Sequence, residues 1–159
     1  MHAFQLAQVN IAEVLAPLND PIMQDFVGNV DHINAMADAS EGFIWRMNDE
    51  DKDEGAKIFQ NNALVINISV WKDFESLFKF TYQTGHVDIF KRKKAWFKKM
   101  NRMHMAFWYI PKGYKPTFQD AKYRLDYLNS YGESPFAFSF KSKFLVDDFL
   151  NYKPLNASS

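Results

Sequence analysis

At 159 residues and 47% hydrophobic content, the chain is long enough to bury one core without covalent staples and too short for two ordinary domains. Its 19 basic and 19 acidic residues leave no net charge to draw it to nucleic acid or an anionic membrane. The absence of cysteine excludes disulfides, thiolate metal sites and a cysteine nucleophile.

The opening M-H-A-F-Q-L-A-Q-V-N lacks a basic start and a long apolar core, and no apolar run reaches membrane-spanning length, so a cytoplasmic protein with no membrane partner is expected. Phe4, Leu6 and Val9 mark a first strand that ends at the polar Asn10. A connector follows, and Asp20 before Pro21 signals a helix start. Ile22, Phe26, Val30, Ile33 and Ala37 form the expected inner stripe of that helix, and His32 lies on the solvated side. Gly42 closes it, and F-I-W-R-M-N starts a second strand in which Arg46 must reach the rim or meet an anion. The acidic run D-E-D-K-D-E-G reads as a solvated, mobile hairpin connection.

Leu64–Trp71 is the clearest strand. Leu64, Ile66, Ile68 and Val70 fall on one face and Val65, Asn67, Ser69 and Trp71 on the other, so both faces carry apolar residues. Asn67 and Ser69 either hydrogen-bond within the fold or line a cavity. Asp73 caps the next helix, with Phe74, Leu77, Phe78 and Thr81 as its apolar stripe. Gly85 weakens the run, after which His86, Ile89, Phe90, Lys93, Trp96, Phe97 and Met100 recur at helical spacing. His86 either bonds locally near the break or points into a pocket walled by Trp96 and Phe97. Lys93 either snorkels past those rings or joins His86 there. The surrounding basic residues form an exposed helical face, which argues against nucleic-acid binding.

Met103–Ile110 is a further strand, with Ala106 and Trp108 on one face and Phe107 and Tyr109 on the other. Thr117 and Asp120 have capping-box spacing before a helix striped by Phe118, Ala121, Leu125 and Leu128, which Gly132 ends. S-P-F-A-F-S-F alternates like an edge strand. The order is the α+β, ferredoxin-like βαββαβ plan of an antiparallel sheet with a C-terminal helix and strand added. Residues 1–144 are expected to form one domain and 145–159 a partly disordered extension. With helices on one face of the sheet only, the other face would pack against a second copy in a homodimer.

P-x-M-x-x-F, A-S-E-G-F-I-W-R, V-I-N-I-S-V-W, G-H-V-D-I-F-K-R-K-K-A-W-F, F-W-Y-I-P-K-G-Y-K-P-T and R-L-D-Y-L-N-S-Y-G, spread in order from about Leu6 to Phe140, resemble the bacterial domain-of-unknown-function 3291 family. That family is grouped with the dimeric α/β-barrel superfamily, which includes antibiotic-biosynthesis and haem-degrading monooxygenases. The resemblance implies the fold and the homodimer. It places Asn10 and His86 where haem-degrading relatives have a first-strand asparagine and an iron-ligating histidine, with Phe80 where they have a tryptophan.

The functional expectation is a small-molecule-binding protein, either a cofactor-independent monooxygenase or related oxidoreductase acting on an aromatic or quinol-like substrate, or a non-catalytic module for haem or another flat aromatic ligand, or a haem-degrading monooxygenase. His86 would act as base, or as iron ligand if haem is bound, and Asn10 would bond substrate or oxygen. Arg46, Asn67, Ser69, Trp71, Lys93, Trp96 and Trp108 complete the candidate binding set. No metal is otherwise expected.

Overall fold

The computed structural model describes residues 3–48, 51–83 and 95–155. Four antiparallel strands form an open sheet: β1 (Phe4–Glu13), β2 (Phe43–Arg46), β3 (Leu64–Trp71) and β4 (Met105–Pro111), in the spatial order β2-β3-β1-β4. The architecture is α+β. The helices are α1 (Gln24–Asp38), α2 (Lys52–Phe59), α3 (Phe74–Gln83), α4 (Phe118–Tyr131) and the short α5 (Val146–Leu150). Among the described residues no helix is long and apolar enough to cross a membrane.

The two-residue period of β1, β3 and β4 builds two cores. Ala7, Val9, Ile11, Ile68, Val70, Ala106, Trp108 and Ile110 bury one sheet face against Phe118, Ala121, Leu125 and Leu128 of α4, with Ile58 and Phe59 of α2 beside them. The opposite face carries Leu6, Trp71, Phe107 and Tyr109, covered by Ala37 of α1, Leu77 and Phe80 of α3, and Phe138. Helices therefore lie on both faces. The face expected to stand open for a second copy is covered by α2 and α4 of the same chain.

Several local expectations hold. Asp20 accepts a hydrogen bond from Ile22 N, Asp73 Oδ1 one from Ser76 N at 2.9 Å, and Thr117 and Asp120 form a reciprocal capping box. Others shift by a phase. Pro21–Met23 is a 3-10 turn, whose tighter winding leaves Ile22 exposed and turns Met23 fully inward. On α3 it is Leu77, Phe80 and Thr81 that are buried, while Phe78 faces out.

From Lys52 onward the acidic run belongs to helix α2 rather than to a mobile connection. Asp53 and Glu54 sit at the positive end of α2 and Lys57 near its negative end, and Gly55 is packed so closely on the Phe118 ring that an added Cβ would lie 2.7 Å from it. The S-P-F-A-F-S-F segment is not a strand. It touches β4 through one bridge, Phe107 to Phe138. Side-chain acceptors take the donors a longer ladder needs: Ser134 Oγ accepts from Phe136 N, and Glu133 accepts from Ser139 N and Ser139 Oγ at 2.8 Å each.

Residues 145–155, set apart as an extension, pack on the domain. Phe149 meets Phe4 and Tyr109 edge-on or tilted, Tyr127 and Tyr152 share a hydroxyl hydrogen bond, and Leu155 N donates to Tyr127 Oη at 2.9 Å. Tyr109 Oη donates to the Phe144 carbonyl at the start of this segment. Burial, with Glu75, Asp148 and Asp73 nearby, pushes the Tyr109 hydroxyl from the ordinary 10.0 up to about 12.

The folded state thus holds that proton more tightly than the unfolded chain does. Its contribution is complete below pH 10 and is lost as the pH rises toward 12, and Tyr109→Phe will flatten this part of the stability profile measured by urea unfolding. Gly42 has φ +88, and a Cβ there would run into the side chain of Ser76. Gly42→Ala will therefore cost about 2–3 kcal/mol, and Ser76→Gly in the same chain will restore only the steric part.

Candidate functional site

Register decides which polar residues meet. Leu6, Gln8 and Asn10 of β1 stand opposite Trp71, Ser69 and Asn67 of β3, and Gln8 and Asn10 stand opposite Phe107 and Met105 of β4. All share the aromatic sheet face. There a line of uncharged polar groups crosses the apolar layer. Trp71 Nε1 donates to Ser69 Oγ at 2.9 Å, Gln8 Nε2 donates to the same oxygen at 2.7 Å, and Asn10 Nδ2 donates to Gln8 Oε1 at 3.0 Å. Gln8, Ser69 and Trp71 are buried, Asn10 is half-buried and Asn67 is exposed, so the line runs from the core to an open end.

Aromatic contacts hold its inner end still. The Trp71 ring stacks on Phe80 at 5.2 Å between centroids and meets Phe43 edge-on at 5.3 Å. With the indole fixed, its N–H direction is fixed, and so is the place of Ser69 Oγ.

The other candidates are dispersed. Arg46 stands opposite Ser69 on β2, but its guanidinium pairs with Asp38 and donates to the Asn34 carbonyl at 3.3 Å on α1. It lines an open groove of about 450 Å³ together with Asp31, Asp38 and Asn48. Two carboxylates and one already paired guanidinium make that groove unwelcoming to an anion. Trp96 is buried at the far end of β1, 5.7 Å between ring centroids from Phe26 of α1, and its carbonyl accepts from Leu15 N. Trp108 lies on the opposite sheet face, in the core under α4. His86 and Lys93 lie outside the described residues. The structure thus groups Asn10, Asn67, Ser69 and Trp71 and separates Arg46, Trp96 and Trp108 from them.

Gln8 is the residue that sequence reading missed. Its signal was present, because Gln8 and Asn10 are two apart and share a face, as Asn67 and Ser69 do. What was lacking was the antiparallel register that sets one pair against the other.

The line contains no group that exchanges a proton near neutral pH. It can orient a polar atom of a ligand and cannot by itself act as a base. Among the described residues no three His, Asp or Glu side chains come together as a metal site.

A model for a domain of unknown function, DUF3291, matches residues 5–153. The chain belongs to the DUF3291 family. Among curated proteins none matches this DUF3291 chain. Two crystal structures are similar to parts of this chain. A protein of unknown function from Nitrosomonas europaea is 9% identical with a TM-score of 0.45, over 74% of this chain and 97% of that one. A protein from Pseudomonas aeruginosa is 16% identical with a TM-score of 0.46, over 70% of this chain and 98% of that one.

Ser69→Ala will leave the Trp71 N–H and one end of the Gln8 amide without a buried partner. Urea unfolding should show a loss of about 1–3 kcal/mol, with a shift in tryptophan emission. A loss below about 0.5 kcal/mol would mean the line is not closed in solution.

Proposed function

We propose that this protein binds a flat, oxygen-bearing aromatic small molecule at the Asn10 end of the polar line, and that it acts on such a molecule as a cofactor-independent monooxygenase or related oxidoreductase. The observation that carries this reading is the line itself. Three buried hydrogen-bonding side chains interrupt an otherwise aromatic sheet face and lead to a half-buried amide opposite an exposed one. Packing alone is served better by apolar residues at those positions.

A quinol-like substrate suits a site of this kind. Once it loses a hydroxyl proton it can pass electrons to dioxygen without a metal or flavin, so the protein needs only to hold it, favour its anion and supply a base. Asn10 does the holding, and His86 is assigned the base. The strand order β2-β3-β1-β4, with α1 and α3 on the site's face, supports the ferredoxin-like plan of antibiotic-biosynthesis-type monooxygenases, here elaborated by α2 and α4. Because α2 and α4 occupy the other face, a homodimer of this chain would meet elsewhere than sheet to sheet. Haem would need an axial ligand; Met105 stands opposite Asn10 and the His104 carbonyl accepts from Ile11 N next to it, but no step is drawn through haem.

The test is binding of 1,4-naphthoquinone by thermal shift, together with oxygen uptake above the spontaneous rate on its quinol. Asn10→Ala is expected to weaken binding about 3- to 10-fold, the loss of one hydrogen bond. His86→Ala is expected to abolish the extra oxygen uptake while leaving binding within about 2-fold. No saturable shift with the native protein would end the reading.

A further inference from the structure

The four side chains of the polar line form a chain of donors and acceptors that can be counted. The count starts at Trp71, whose indole nitrogen carries one hydrogen and accepts none, so Ser69 Oγ must be its acceptor. Ser69 is 5% exposed and its hydroxyl has one hydrogen of its own to place. As the amides stand, Gln8 turns its Nε2 toward Ser69, so the serine oxygen accepts twice and its own hydrogen has no acceptor on the line. A half turn of the Gln8 amide, matched by one of the Asn10 amide, exchanges oxygen and nitrogen within the same outlines and removes that defect. Ser69 then donates to Gln8 Oε1, Gln8 Nε2 donates onward across the 3.0 Å contact, and Asn10 receives it on Oδ1. The Ser69 hydroxyl then has an acceptor, and each link of the line pairs a donor with an acceptor, as buried polar groups require.

We propose that the line has this one polarity, running from Trp71 through Ser69 and Gln8 to Asn10, and that Asn10 consequently presents both Nδ2 hydrogens at the open end, selecting ligands that offer an acceptor oxygen there. The polarity stands on the count alone. The nature of the occupant rests on the binding reading above and narrows it to a carbonyl, phenolate or enolate oxygen. For a quinol-like substrate this favours the deprotonated form over the neutral one, since a paired N–H donor strengthens toward an anionic oxygen. Gln8, Ser69 and Trp71 are positioning residues that never touch the ligand. Asn10 is the contact, and its outward chemistry is set three residues away by an indole that can only donate.

The first arm of the test needs no ligand. In native protein labelled with nitrogen-15, two donors converging on Ser69 Oγ would bring the Trp71 indole hydrogen and a Gln8 amide hydrogen to about 3 Å, giving a strong nuclear Overhauser cross-peak. The proposal expects that cross-peak to be missing and the Gln8 amide hydrogens to show their cross-peaks to the Asn10 side chain instead. A strong Trp71 to Gln8 cross-peak overturns it.

The second arm reads the occupant. 1,4-Naphthoquinone, whose oxygens only accept, should bind at least 10-fold more tightly than naphthalene. Gln8→Glu, whose ionised carboxylate only accepts and so turns Asn10 Nδ2 inward, should erase that preference when measured at a pH that keeps it ionised. Equal binding of the two probes by native protein overturns the selection for an acceptor oxygen. Failure of both probes to bind ends the occupant reading, whereas the cross-peaks still decide the polarity.

Discussion

Strand β1 is used on every side, and the rest of the molecule takes its position from it. Its backbone pairs with β3 from Leu6 to Glu13 and with β4 from Phe4 to Asn10, so the interior of the strand has no free edge. Its side chains Leu6, Ala7 and Val9 are fully buried, on alternate faces. A slip of one residue against either neighbour would drive Leu6 into the helix α4 side and Gln8 into the aliphatic core. Burial on both faces therefore locks the register, and the register is what sets Gln8 against Ser69 and Asn10 against Asn67.

The two faces solve the packing problem differently, and only one of them leaves room for polar chemistry. Under α4 the sheet offers small and branched residues, Ala7, Val9, Ala106 and Val70, against Ala121, Leu125 and Leu128, which lets helix and sheet approach without gaps. Trp108 fills that layer as plain core. The other face is built from rings meeting at steep angles, such as Phe107 on Phe140 at 4.6 Å and 71° and Phe43 on Trp71 at 5.3 Å and 81°. Edge-to-face rings leave narrow spaces between them, and one rigid ring, Trp71, carries a hydrogen-bond donor. A polar line can thread that layer at modest cost because each member satisfies the next.

Much of the fold was legible because periodicity survives without context. The split of Leu64–Trp71 into an apolar face and a face holding Asn67, Ser69 and Trp71 is as the alternation predicts, and the caps at Asp20, Asp73 and Thr117 are where their spacing places them. The misses have tertiary causes. Helix α2 was hidden because its acidic first turn looks like a solvated loop until Gly55 meets Phe118. The Phe136–Phe140 segment alternates like a strand, but Ser134 and Glu133 claim the backbone donors that a strand would spend on β4. For the site, the sequence could supply Asn10, Ser69 and Trp71 but not Gln8, whose role exists only in the pairing of two strands far apart in the chain. Arg46 was expected to reach the rim or meet an anion, and the anion is the Asp38 carboxylate of α1.

The C-terminal segment explains why the polar line has a closed end and an open one. Phe136 and Ala137 join the aliphatic core, then Phe138 bridges β4 at Phe107, and Phe140, Phe144 and Phe149 continue across the aromatic face. The segment thus wraps the outer edge of β4, which shields an edge that would otherwise invite strand pairing. Its anchors on the sheet are Phe4, Phe107 and Tyr109, at the Leu6 and Gln8 levels of β1 or beyond. Two positions further along β1, Asn10 faces Asn67 with neither sealed, and only Met105 of β4 stands level with them. Among the described residues, the aromatic cover that excludes water from the inner hydrogen bonds stops before the outer amide. Burial at one end and access at the other are what an oriented recognition group needs, and here both follow from where one loop leaves the sheet.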